Sequence, residues 1–191
     1  AYDHFKQSLE IRRKIFPSNH QAIFAALFHV GSILLDLGKP QEALDSFQEA
    51  LTSCDILQKK ENVIGYASLL TMIGNALFQL KRTEEAFDRY DQAILALRKG
   101  GSDPRDEPYI KRSLELALTS TGRVYREFER YAQAIDYFEQ AYEISLKVYG
   151  EESLKIAECL ADIAQALFYQ ERYPETVDYF KRALAIRSKH Y

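Results

Sequence analysis

LTSTGRVYREFERYAQAIDYFEQA, residues 118–141, holds a small residue at Gly122, a second at Ala134, an aromatic ring at Phe138 and a third small residue at Ala141. The same spacing returns as Gly31–Ala43–Phe47–Ala50, Gly74–Ala86–Tyr90–Ala93 and Ala164–Thr176–Phe180–Ala183. Its last step, an aromatic three positions before a small residue, also occurs at Phe5/Ser8. The closing residues Ser8, Ala50, Ala93, Ala141 and Ala183 step by 42, 43, 48 and 42. A period of this length marks a solenoid of stacked helical units.

Apolar residues keep helical spacing before each first small residue: Leu27 and Val30, Leu70 and Ile73, Leu118, Leu160 and Ile163. Leu34, Leu77, Tyr125 and Leu167 continue the stripe three positions after it. Spacings of three and four build one apolar face on a helix. Small residues let two helix axes approach, and the rings fill the space between hairpins. Short turns fall at 37–40, 80–83, 128–131 and 170–173. Gly38 suits a helix C-terminus and Pro40 the start of the next helix, with Pro174 one position later in its own unit. The pattern predicts nine helices, at about 2–15, 20–37, 40–58, 62–80, 83–98, 107–128, 131–148, 152–170 and 173–189, and no strands. Two glycines and two prolines make residues 99–108 a turn-rich loop, which accounts for the 48-residue step. It reads as a tolerated surface insertion or a lip that touches a ligand.

The small–x11–small–x3–aromatic–x2–small core resembles the tetratricopeptide repeat over nearly the whole chain. Most such repeats are 34 residues long. The longer version here, closed by Leu-Glu-Ile-Arg-Arg-Lys at 9–14 and Leu-Ala-Ile-Arg-Ser-Lys at 184–189, is similar to the kinesin light chain and nephrocystin-like subgroup. Asp55, Gly100 and Val148 show that not every unit keeps the closing motif. The resemblance implies an all-α, right-handed superhelical α-solenoid of antiparallel hairpins. It divides one array into a partial repeat at 1–19 (second helix only) and repeats at 20–61, 62–106 with a longer linker, 107–151 and 152–191. Neither end carries a polar capping helix, so the expectation is a piece of a longer array.

A chain of 191 residues suffices for a well-buried domain. A net charge of −3 from 25 basic and 28 acidic residues points away from nucleic acid and anionic membrane as partners. No apolar run reaches the roughly 18 residues of a membrane helix, and no signal peptide is visible. Cys54 and Cys159 fall in different repeats at helical positions and read as unpaired thiols, which fits a reducing, cytoplasmic setting.

The resemblance implies that the first helix of each hairpin lines a concave, ligand-holding groove. Stepping outward from the first small residue gives Ser32, Asn75, Arg123 and Gln165 one position on. Leu35, Phe78, Arg126 and Phe168 lie four on, and Gln79 and Tyr169 five on. Leu35, Phe78 and Phe168 are apolar where a solvated helix prefers polar residues. Asn75 and Gln165 can pair with a peptide backbone, and Arg123 and Arg126 can hold a carboxylate. These ten residues are the candidate peptide site. Against this, Phe78 and Phe168 could pack on neighbouring helices, and the arginines could pair with Glu127, Glu129 or each other's neighbours on the surface. The clamp by which chaperone-binding relatives grip a C-terminal carboxylate is missing, since its lysine positions hold Phe28, Thr71, Thr119 and Ala161. The kinesin-light-chain likeness implies a short acidic motif with an aromatic residue as ligand.

Chemistry has no support in the residue pattern. His4, His20, His29 and His190 are dispersed, no cluster has metal-ligand spacing, and Gly100-Gly101 lacks the flanks of a phosphate loop. The reading is a non-catalytic adaptor or scaffold with no cofactor, binding a protein or peptide. The alternatives are a structural segment that self-associates through its ends, or a peptide-sensing regulatory domain of a signalling protein.

Overall fold

A computed structural model describes residues 2–18, 20–53, 62–100 and 103–190. Among these residues there are nine α-helices and no strand: α1 Tyr2–Ile15, α2 Gln21–Asp36, α3 Pro40–Ser53, α4 Val63–Gln79, α5 Thr83–Lys99, α6 Glu107–Glu127, α7 Tyr131–Tyr149, α8 Leu154–Tyr169 and α9 Tyr173–Arg187. The expected end of α3 at 54–58 lies outside the described residues, as does Cys54. The 99–108 loop contains a 3-10 turn at Pro104–Asp106, where Arg105 closes on Asp103 with Nη2–Oδ2 at 2.6 Å. Two compact units divide the chain, residues 1–106 and 107–191. In the first, α1 packs on the hairpin α2–α3, which stacks against α4–α5. In the second, α6–α7 stacks against α8–α9.

Three of the first helices, α2, α4 and α8, start on side-chain caps. His20 Nδ1 accepts from the Ala22 amide at 3.1 Å, Asn62 Oδ1 from Gly65 at 3.1 Å, and Ser153 Oγ from Ile156 at 3.3 Å. Each satisfies a donor that the first helical turn leaves unpaired. All four hairpin turns close alike. The second residue after the first helix takes a left-handed conformation: Gly38 (φ 70), Lys81 (φ 63), Glu129 (φ 58) and Glu171 (φ 61). Its amide donates three residues back, and the next amide donates five back, as in Glu129 to Arg126 and Arg130 to Tyr125. This is the Schellman closure, which favours glycine. Three of the four turns carry a side chain there instead.

Each of the first three hairpins is locked by one ring. Phe47, Tyr90 and Phe138 are 0–1% exposed. A Cβ placed on Gly31, Gly74 or Gly122 would lie 2.5, 2.6 or 2.6 Å from the ring's Cε1. Hydrogen alone leaves room for the ring, so the small residue of the repeat is a seat for the aromatic sixteen positions on. Burying such a side chain contributes about 1.5–3 kcal/mol. Tyr90 brings a hydroxyl into this apolar seat. It donates to Asn75 Oδ1 at 2.7 Å, and burial pushes its phenol pKa well above the ordinary value.

Two stability measurements test this reading. Gly122→Ala should lower the unfolding free energy in urea. Overpacking costs about 1–3 kcal/mol, against roughly 0.5–1 kcal/mol gained by replacing a mid-helix glycine. Glu129→Gly should leave stability unchanged or slightly raised. Relief of a left-handed side chain is worth about 1–2 kcal/mol, offset by roughly 0.5–1 kcal/mol of added unfolded-state freedom.

Candidate functional site

The outward faces of α2 and α4 belong to the first unit. Ser32 is half-buried and donates its hydroxyl to the Phe28 carbonyl at 2.9 Å, a bond within its own helix. Leu35 is half-buried and Gln79 exposed. The ammonium of Lys81 stands 5.9 Å from the centre of the half-buried Phe78 ring, a cation–π distance. Asn75 is half-buried, and its carbonyl oxygen is occupied by Tyr90. Only its amide N–H groups remain for a ligand, and one of them points at Met72 Sδ, 4.0 Å away.

In the second unit Arg123 and Arg126, on α6, converge on a single carboxylate of the neighbouring first helix. Arg123 Nη2 lies 3.1 Å from Asp162 Oδ2, and Arg126 Nη1 lies 3.2 Å from Asp162 Oδ1. Their partner is thus neither Glu127 nor Glu129. Arg126 is largely buried and also sits 5.8 Å over the Phe138 ring, whereas the Arg123 side chain is 55% exposed and keeps donors turned outward. Asp162 lies three positions before Gln165 and seven before Tyr169, on the same helical face as these two candidates. The signal that marks it is a carboxylate next in the array to a pair of arginines one helical turn apart.

Gln165 is exposed on the same face. Phe168 and Tyr169 are each 50% exposed and join an aromatic cluster. Tyr169 stacks on Tyr131 with centroids 5.3 Å apart, and Phe168 meets Tyr169 and Tyr173 edge-on at 5.7 and 5.8 Å. Tyr131 and Tyr173 open the second helices, so a ring at the start of α7 and α9 and a ring at the end of α8 meet across the turns. Such pairs contribute about 0.5–1.5 kcal/mol beyond their buried area.

Deeper between α6 and α8, Glu115 is buried. It accepts from Thr119 Oγ1 at 3.1 Å and from Lys155 Nζ at 3.4 Å. Burial works against the Lys155 ammonium, but Glu115 and Glu158 outweigh it and hold its pKa above the ordinary value. Cys159 is a buried free thiol that donates to Ser145 Oγ at 3.5 Å, and burial pushes its pKa up. A nucleophilic cysteine needs the opposite environment. Among the described residues no group of three or more His, Cys, Asp or Glu could hold a metal ion, and no helix is long and apolar enough to cross a membrane.

A family model described as tetratricopeptide repeat matches residues 1–56 and 112–189. The chain belongs to the tetratricopeptide repeat family. No curated protein sequence matches it. Several solved structures share its fold. BtubC (BKLC) from P. vanneervenii superposes with a TM-score of 0.82 at 16% identity, over 98% of this chain and 72% of that one. A Podosopora anserina protein described as a kinesin light chain with nearly identical TPR-like repeats gives 0.75 at 17% identity, over 99% and 86%. A Rap protein solved with Competence and Sporulation Factor gives 0.79 at 15% identity, over 98% and 48%.

Removing the shared carboxylate should separate the two arginines. Asp162→Ala leaves the largely buried Arg126 without its partner and is expected to cost about 1–3 kcal/mol in urea unfolding. Arg123→Ala should cost under about 1 kcal/mol, since that pair is solvated.

Proposed function

We propose that this chain is a non-catalytic protein- or peptide-binding module that works as an adaptor or scaffold. In this reading the ligand lies along the outward faces of the first helices. The observation that carries it is the second unit's face, where the half-exposed Phe168 and Tyr169 rings share a surface with the outward donors of Arg123 and with Gln165. Exposed rings beside a cation suit an anchor side chain next to a carboxylate. A short segment with an acidic and an aromatic residue meets both demands. In the first unit, taken by itself, Leu35, Phe78 and the amide of Asn75 hold the equivalent register positions and make a more apolar face. The Rap protein solved complexed with Competence and Sporulation Factor supports a ligand-holding use of this architecture. A free thiol at Cys159 suits a cytoplasmic setting.

Arg123 and Phe168 test the proposal better than Asn75, because Asn75 also holds the Tyr90 hydroxyl and its loss disturbs the core. A peptide library selected on the wild-type chain should yield binders that Arg123→Ala/Phe168→Ala weakens at least about tenfold. Helicity should stay near wild type, with melting lowered only by the lost edge-on ring contacts of Phe168. Equal binding by the double variant would remove this face from consideration.

A further inference from the structure

A cleft between α1 and α3, in the first unit, lacks the side chains that fill the corresponding place in the second. A shift of 133 positions carries the register of α1, α2 and α3 onto that of α7, α8 and α9, with Phe5 on Phe138, Gly31 on Ala164 and Phe47 on Phe180. In the second unit Tyr142 of α7 and Tyr179 of α9 pack against one cluster formed by Ile156, Ala157, Leu160 and Ala183. Arg182 joins the two rings. Its Nη2 donates to the Tyr142 hydroxyl at 3.1 Å, and its guanidinium lies 5.3 Å from the centre of the Tyr179 ring. The positions of Tyr142, Tyr179 and Arg182 hold Leu9, Ser46 and Glu49 in the first unit. Two rings are missing there, and a carboxylate stands in place of a cation.

A cavity of about 230 Å3 occupies that place. Its floor is apolar and buried, made by Leu27, Val30 and Leu34 of α2 with Leu9 of α1. Its rim is charged. Arg13 of α1 pairs with Glu49 of α3, and Lys39 pairs with Glu42 at 3.0 Å. Asp45 accepts only the Gln41 amide, at 2.9 Å. The rim is thus left with two carboxylates, Glu10 and Asp45, and one ammonium, Lys6, that form no ion pair among the described residues. None of the ten candidate groove residues lines this cavity.

We propose that the cavity between α1 and α3 binds a small organic cation, an aromatic ring carrying a protonated amine on a short alkyl chain. The ring lies on the leucine and valine floor where the second unit has its own tyrosines. The ammonium takes the role of Arg182 and faces Asp45 and Glu10. An apolar cavity of about 150 Å3 is enough for a benzene ring. The space here adds room for a short chain but falls below the roughly 300 Å3 of a site for drug-sized ligands. The excess of carboxylate at the rim attracts the amine and disfavours an acid with the same ring. The Arg13–Glu49 pair spans the cleft from α1 to α3, across the path of a peptide backbone, which favours a free molecule.

The test titrates 2-phenylethylamine into the full chain, labelled at its leucine and valine methyls and followed by NMR. The Leu9, Val30 and Leu34 methyls should shift and saturate, while those of Leu160 and Leu167, at corresponding positions of the second unit, stay still. Phenylacetate, with the opposite charge, and butylamine, without the ring, should each bind at least about tenfold more weakly. Ser46→Tyr restores the ring found at Tyr179 and should abolish binding with helicity retained. Asp45→Asn, at an exposed side chain, should weaken it about threefold. Arg123→Ala/Phe168→Ala should leave it intact, which separates this site from the face proposed above. Silence at the α1 and α2 methyls, equal affinity for the amine and the acid, or unchanged binding by Ser46→Tyr or by Asp45→Asn overturns the proposal. Tighter binding of a Phe-Gly-Gly peptide than of the amine would overturn it in favour of a peptide N-terminus.

Discussion

An aromatic ring resting directly on a helical glycine is the contact on which the rest of this structure depends. It occurs between Gly31 and Phe47, Gly74 and Tyr90, and Gly122 and Phe138. The glycine draws the two helix axes together, and the ring fills the width that remains. Everything else in the hairpin has to be consistent with that distance: the length of the first helix after the glycine, the tight left-handed turn and the apolar stripe on either side. The contact also reaches into the proposed binding face. Tyr90 needs a partner for its hydroxyl, and the residue beside its glycine, Asn75, supplies one. A side chain that looks available in the sequence is therefore partly committed to the core.

Much of the fold is legible because its signals are local and repeated. Small residues, rings and turns recur in one register, so each hairpin corroborates the others, and helix ends fall within a few residues of the expected positions. Gly38 and Pro40 announce their turn. Lys81, Glu129 and Glu171 do not announce theirs, because the left-handed conformation is imposed by closure of the hairpin and not by residue type. The site was less legible for a different reason. Its decisive contacts join residues almost a full repeat apart. The position of Asp162 on the face follows from register, but its grip on two arginines of the neighbouring helix depends on how the first helices lie side by side. The meeting of Tyr131 with Tyr169 across the turns is of the same kind.

The Asp162 arrangement changes what the basic face of the second unit is. Two arginines without a carboxylate would form a strong anion site. With Asp162 between them, one is built into the fold and the other retains part of its donor capacity. Under the proposed function, a ligand carboxylate would meet a moderate, solvated attraction, and selectivity would fall to the rings beside it.

The ring–glycine seats lie inside hairpins, not between them, and this has a mechanical consequence. Stretched from its two ends, a chain built this way does not yield as one body. The weakest boundary between neighbouring hairpins parts first, and each hairpin that has a seat then holds until its ring is pulled from it. Force would rise and drop in steps, each releasing one repeat's worth of slack. A connector of this design lengthens in increments under load and can refold behind the load, unit by unit.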